Sequence, residues 1–155
     1  MPRVYRVTGN PTSVASAANT ELLQGLATST GKFQLTRLEI GQLTTETLTG
    51  IVVAVSRYTG AFSAGSGGTA ITPAKQDTND ASAISTWLQL NSTAISGGTA
   101  VVLGYHTMQD VVGMQEIPLP DDVLQFNASE ALQVKLVTAL GATTNLTYIA
   151  TIREI

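Results

Sequence analysis

Cysteine is absent from the 155 residues, which excludes thiol chemistry, zinc–thiolate centres and a disulfide framework. Charge is scarce. Asp, Glu, Lys and Arg make up 12% of the chain, about half the roughly 25% of an ordinary globular protein, so Thr, Ser, Asn, Gln and Gly must cover most of the surface. The low charge accompanies 43% hydrophobic residues, a combination that argues against disorder. The net charge of −3 and pI near 4.9 come without any cluster of Lys and Arg. No nucleic-acid partner is expected, because that would demand a basic patch. Long apolar runs are missing as well. The longest, Ile51-Val52-Val53-Ala54-Val55, falls far short of the ~20 residues that a helix needs to cross a bilayer, so no membrane partner is expected either. The N-terminal stretch MPRVYRVTGNPTS has no apolar h-region and does not read as a secretory signal. The expectation is a soluble chain made in a cytoplasm.

What is present is strand signal. Residues 4–8, 33–40, 48–58, 84–90, 99–108, 113–119, 132–140 and 145–155 are rich in β-branched and aromatic residues, most of them alternating with polar ones. In 33–40 the pairs Phe33, Leu35 and Leu38, Ile40 share one face only if an irregularity lies between them. Residues 48–58 are continuously apolar, as in a strand covered on both faces. Residues 99–108 and 113–119 are expected to pair with each other. Gly9-Asn10-Pro11, Thr30-Gly31-Lys32, Gly97-Gly98, the segment 118–122 and Gly141-Ala142 supply turns. Residues 17–26 are the one short stretch with helical character, although Leu22, Leu23 and Leu26 also suit a strand. The length fits one domain over residues 1–155, with 1–19 read as an N-terminal arm. About eight strands with close turns predict an all-β, antiparallel β-sandwich or jelly roll.

Candidate chemistry is thin. His106 is the only histidine and stands four residues before Asp110. A Ser-His-Asp site also needs a nucleophile elbow such as G-x-S-x-G, which is absent. Asp77, Asn79 and Asp80 offer hard oxygens, but no carboxylate follows at calcium-loop spacing, and they read as a turn. Asp121, Asp122 and Glu130 show no identifiable catalytic partner. Gly65-Ser66-Gly67-Gly68-Thr69 lacks the Lys of a phosphate loop and reads as a flexible, exposed loop. The sequons at Asn91, Asn127 and Asn145 read as coincidental. No cofactor and no metal are expected. Trp87 is left open between a core position and a sheet–sheet or subunit contact.

One segment carries more. Arg57-Tyr58-Thr59 ends a β-rich run, and a Gly/Ser/Thr/Ala stretch follows. Then come Gly67-Gly68-Thr69, Thr72-Pro73-Ala74-Lys75 and Asp77-Thr78-Asn79-Asp80. This order resembles a recurrent pattern in small structural proteins of tailed bacteriophages and prophages. Near the end, Ser129-Glu130-Ala131-Leu132 opens the penultimate strand, which looks like the closing section of viral and phage jelly rolls. There the final strand sits deep in a sheet. The resemblance implies a jelly-roll-like capsid decoration (cement) protein, non-enzymatic and located on the virion surface. It implies a homotrimer with the major capsid protein as partner, made in the host bacterial cytoplasm. The contact is placed on residues 1–19 and the loop 60–80, with Arg3, Tyr5, Tyr58, Phe62 and Lys75 as candidate capsid contacts and Trp87 as the candidate subunit contact. That the loop merely connects two strands is the competing reading. The alternatives are a trimeric tail or fibre module that recognises a receptor, and a β-sandwich hydrolase.

Overall fold

The computed structural model describes residues 2–9, 12–14, 20–42, 51–108, 113–117, 119, 123–140 and 144–155. Among the described residues thirteen strands form: β1 (Arg3–Thr8), β2 (Thr12–Val14), β3 (Glu21–Leu26), β4 (Phe33–Gln42), β5 (Ile51–Ser63), β6 (Thr69–Ile71), β7 (Ala74–Lys75), β8 (Thr86–Asn91), β9 (Ser96–Met108), β10 (Gly113–Ile117), β11 (Leu124–Phe126), β12 (Ala131–Leu136) and β13 (Thr144–Glu154). Among the described residues none is helical.

The strands build two antiparallel sheets packed as a β-sandwich. The first runs β10-β4-β13-β1-β7, with β11 beside β4 and β2 beside β13. The second runs β6-β8-β3-β12-β5-β9. Eight strands make the frame, and their pairing is nested. The first pairs with the last (β1 with β13), the second with the seventh (β3 with β12), the third with the sixth (β4 with β10) and the fourth with the fifth (β5 with β9). This is a hairpin rolled up on itself, the pattern of a jelly roll. Seven of the eight expected strands belong to this frame, and the eighth, 84–90, is β8 of the insertion; the frame strand β3 and the short strands β2, β6, β7 and β11 are additional. The final strand β13 lies between β4 and β1, deep in the first sheet.

Four expectations need correction. Residues 21–26 of the proposed helical stretch form β3, while 17–19 lie outside the described residues. Residues 113–117 pair with β4 and 99–108 with β5, because the chain leaves the second sheet after β9 and enters the first with β10. Within the expected N-terminal arm, residues 3–8 are sheet, β1 being hydrogen-bonded on both sides, to β13 and β7, while 1, 10–11 and 15–19 lie outside the described residues. The loop 60–80 is not one loop, since β5 continues to Ser63 and β6 and β7 follow.

The core fills the space between the sheets. On β13, Leu146, Tyr148, Ala150 and Ile152 point inward at every second position. On β4 the pairing with β13 skips one residue between Leu35 and Arg37. Thr36 is the extra residue, its hydroxyl donating to Thr151 O at 3.0 Å. This bulge lets both Leu35 and Leu38 face inward, since one added residue reverses the phase of a period-two strand. Phe33 stacks on Phe126 at 4.8 Å and packs against Trp87 at 5.3 Å. Burial of each such side chain contributes about 1.5–3 kcal/mol.

Residues 64–95 form an insertion between the fourth and fifth frame strands. Its β6 and β8 extend the second sheet beyond β3, and its β7 extends the first sheet beyond β1. Only Thr72 and Pro73 separate β6 from β7, so the chain passes from one sheet to the other within two residues. The insertion thereby clips the two sheets together along this side.

Candidate functional site

A strand order of β6-β8-β3-β12-β5-β9 forces the chain to cross the second sheet twice: from β5 to β6 through residues 64–68, and from β8 to β9 through residues 92–95. The two crossings pair with each other at Ser66 and Thr93, each N–H donating to the other's carbonyl at 2.9 and 3.1 Å. Backbone laid over a sheet face has no ladder to bond to, and buried N–H groups must find acceptors. Side chains of the sheet provide them. A register skip at Leu22 places both Leu22 and Leu23 in the core and turns Glu21 to the opposite face. There Glu21, 1% exposed, accepts from Ile95 N at 3.0 Å and from the side-chain amides of Asn91 and Gln133. Gln24 Oε1 accepts from Gly65 N at 2.8 Å and from Asn91 Nδ2 at 3.2 Å. Tyr58 OH donates to Gln133 Oε1 at 3.4 Å. Among the described residues no cation pairs with Glu21, and three N–H donors neutralise it instead.

The glycines of this segment are therefore not marks of flexibility. A Cβ at Gly65 would lie within 2.7 Å of polar side-chain atoms of Asn91, Gln24 and Glu21, and one at Gly68 would meet Asn91 Oδ1 at 2.3 Å and Gln89 O at 2.5 Å. Close approach of backbone to buried polar groups requires glycine here. The expectation of a flexible, exposed loop is corrected for Gly65, which is buried.

A second carboxylate holds the other end of the insertion. Glu154, 5% exposed, accepts from Ser85 N at 2.8 Å, Ser85 Oγ at 2.7 Å and Ile84 N at 3.0 Å. Ser85 Oγ in turn accepts from Trp87 Nε1 at 3.0 Å. Beside it, Pro2, Arg3, Ile84, Glu154 and Ile155 line a shallow cavity of about 380 Å³. Both carboxylates are saturated by the protein's own donors.

The predicted contact residues do not converge. Arg3 is half-buried at that cavity and Lys75 is exposed on β7, both on the first sheet. Tyr58 and Phe62 are half-buried on β5 of the second sheet, with their rings edge-on at 6.3 Å. Burial, and then the charge of Glu21, push the Tyr58 phenol above its usual range. Tyr5 is removed from the contact set: its ring is fully buried in the core and its hydroxyl donates to Ala81 O at 2.9 Å. Trp87 is likewise a core residue, 2% exposed, packed on Phe33 and on the open face of Gly25. Neither side chain is available to another molecule. No protein-family model and no curated protein matches this chain.

The remaining candidates settle into structural places. Asp77 Oδ1 accepts from Asn79 N at 2.9 Å, the local bond of an Asx turn. Glu130 accepts from Asn127 N at 2.8 Å and faces Arg57 at 3.8 Å. Arg57 itself spans the rim, donating to Gln125 O at 2.7 Å and lying over the Phe126 ring at 5.4 Å. His106 stands half-buried on β9, its pKa lowered by burial; Asp110, Asp121 and Asp122 lie outside the described residues. Asn91 is buried in the polar network, which excludes glycosylation there in the folded protein. Among the described residues no group of three or more His, Asp or Glu is placed to hold a metal.

Sequence reasoning missed the exposed apolar strip on β9. Val101 is 47% exposed, Val102 44% and Tyr105 65%. The signal was present: thirteen residues, SGGTAVVLGYHTM, contain no Asp, Glu, Lys or Arg. It went unused because an uncharged β run reads equally well as a covered strand.

Proposed function

We propose that this chain is a structural virion protein that binds the outer surface of a phage capsid and stabilises it, acting as a homotrimer with the major capsid protein as partner. The observation that carries this reading is the place of the phage-like segment in the jelly roll. Residues 57–80 start on the frame strand β5, cross the face of the second sheet, pass between the sheets at Pro73 and end in the Asp77 turn. Its pattern-bearing residues thus serve as joints of the fold, which suits a rigid building part.

The physics is coherent with that role. A sandwich braced by hydrogen bonds and apolar burial depends little on ion pairs, which salt screens. Three copies of one modest contact gain avidity without any new contact type. Once Tyr5 is withdrawn, the candidate capsid contacts are Lys75, the Asp77 turn and Arg3 on the first sheet, and Tyr58 with Phe62 on the second.

The test is binding to purified heads that lack the protein, followed by co-sedimentation and heat challenge of the heads. The expected result is saturable binding with a raised head-disruption temperature, weakened at least several-fold by Lys75→Glu or Phe62→Ser at unchanged circular dichroism. No binding by the parent chain overturns the reading, and binding to host cells in its place moves the protein to the tail. Light scattering of the dilute protein is expected to give three times the 16.1 kDa chain mass, with trimers associating in pairs only as the concentration rises.

A further inference from the structure

We infer that β9 is a contact between two copies of this chain, paired antiparallel across a two-fold axis. The inference goes beyond the capsid reading, since it concerns the isolated protein and holds whether or not heads bind it.

An edge strand offers a row of unpaired N–H and C=O groups and is a template for another chain unless it is protected. Among the described residues the two sheets have four sides, and three end in short strands; on the first sheet β11 shares a side with β10 and β2 shares the other with β7, each only three residues long. β7 is two residues long, ends in Lys75 and follows Pro73; β6 is three residues long and is followed by that same proline; β10 has five residues and carries Glu116. The fourth edge, β9, is thirteen residues long, with no proline and no charge. Its protective devices are two irregularities in its pairing with β5, a register skip at Leu103 and another at Gly98, which place no charge on the strand. Exposed Val101, Val102 and Tyr105 lie along this edge.

A second copy fits this edge for two reasons. Self-pairing across a two-fold axis sets each residue opposite its mirror position, and a strand without charge places no like charges together. The area also suffices. Thirteen residues span about 44 Å, and a side wall roughly 15 Å deep gives about 1,300 Å² over both copies, near the lower bound of about 1,200 Å² for a specific interface. The association is therefore specific and reversible. The positive-φ pair Gly97 and Gly98 bends the start of the strand, and Val102 is the midpoint of Ser96–Met108. Centred there, Val102 faces its own counterpart and Thr99 faces Tyr105 of the partner subunit.

The absence of cysteine makes the test clean. Paired Cα atoms across an antiparallel ladder lie about 4.5–5.5 Å apart, within reach of a disulfide. Val102→Cys is expected to form a covalent dimer under mild oxidation, several-fold more than Thr69→Cys, which places an exposed cysteine on the short edge β6. For the parent chain, light scattering over rising concentration is expected to reach an even number of copies, and Tyr105→Glu to halve it. Two results overturn the inference: Val102→Cys cross-linking no better than Thr69→Cys, or a parent mass that stops at one or three copies at every concentration.

Discussion

Two buried regions of this protein are held by opposite means. Between the sheets, Trp87, Phe33, Phe126, Tyr5 and the leucines and isoleucines of β4 and β13 interdigitate, and stability there follows volume and shape. On the far side of the second sheet, under the crossings at 64–68 and 92–95, the buried groups are Glu21, Gln24, Asn91 and Gln133. Stability there rests on hydrogen bonds, since an unmet buried polar group costs about 1–3 kcal/mol, and within this set Gln24 Nε2 and Asn91 Oδ1 have no partner among the described residues. The first region supports the whole sandwich; the second positions two stretches of chain. The same fold therefore joins an interior packed by shape to an outer layer held by hydrogen bonds.

The comparison can be broken first from the apolar side. Trp87→Ala removes the largest core side chain and its bond to Ser85, and should lower stability by about 3–5 kcal/mol, seen as a fall in the global denaturation midpoint. Glu21→Gln keeps the shape but sets an amide N–H₂ against a donor, and should cost about 2 kcal/mol. Its sharper signature is local: amide exchange at Gly65 and Ile95 should accelerate while β4 and β13 stay protected. Gly65→Ala reaches the same site from the chain side, and because the added methyl must displace polar side chains, it should expose the same amides at a cost of about 1–3 kcal/mol. Tyr148→Phe sharpens the contrast. Its hydroxyl is buried with no partner among the described residues, so its removal should leave stability unchanged or raise it by up to about 1 kcal/mol.

The smallest effect concerns pH. Burial holds His106 below its ordinary 6.5 in the folded protein, so the unfolded chain takes up the proton first. Stability is then complete above about pH 6.5 and declines as the pH falls through that value. Denaturation midpoints at pH 7.5 and 5.5 should converge in His106→Gln.

The sequence disclosed those elements whose two faces differ. β13 alternates cleanly, and the phase change between Leu35 and Leu38 revealed the bulge before any coordinates did. β3 was hidden because both its faces are covered: Leu22 and Leu23 face the core, Glu21 and Gln24 lie under the crossings, and no alternation remains to distinguish strand from helix. β8 runs against its own pattern: Leu88 and Leu90 are only half-buried, and Trp87 and Gln89 are the deeply buried positions, because Trp87 has the open side of Gly25 to fill. The polar network was illegible for a different reason. Its members are drawn from positions 21–133 of the chain, and only the order of strands brings them together.

The nesting of the frame also governs how the chain must fold. Its outermost pair joins Arg3 to Glu154, the most distant partners the frame possesses, whereas β5 and β9 at the centre of the roll are the nearest. Topologies dominated by such remote pairings fold in milliseconds to seconds, not microseconds. Until β13 arrives, β4 and β1 both present open edges to the surrounding solution. The newly made chain is at its most aggregation-prone during that interval, and slowing synthesis or lowering the temperature of expression should raise the yield of soluble protein more than any change to its finished surface.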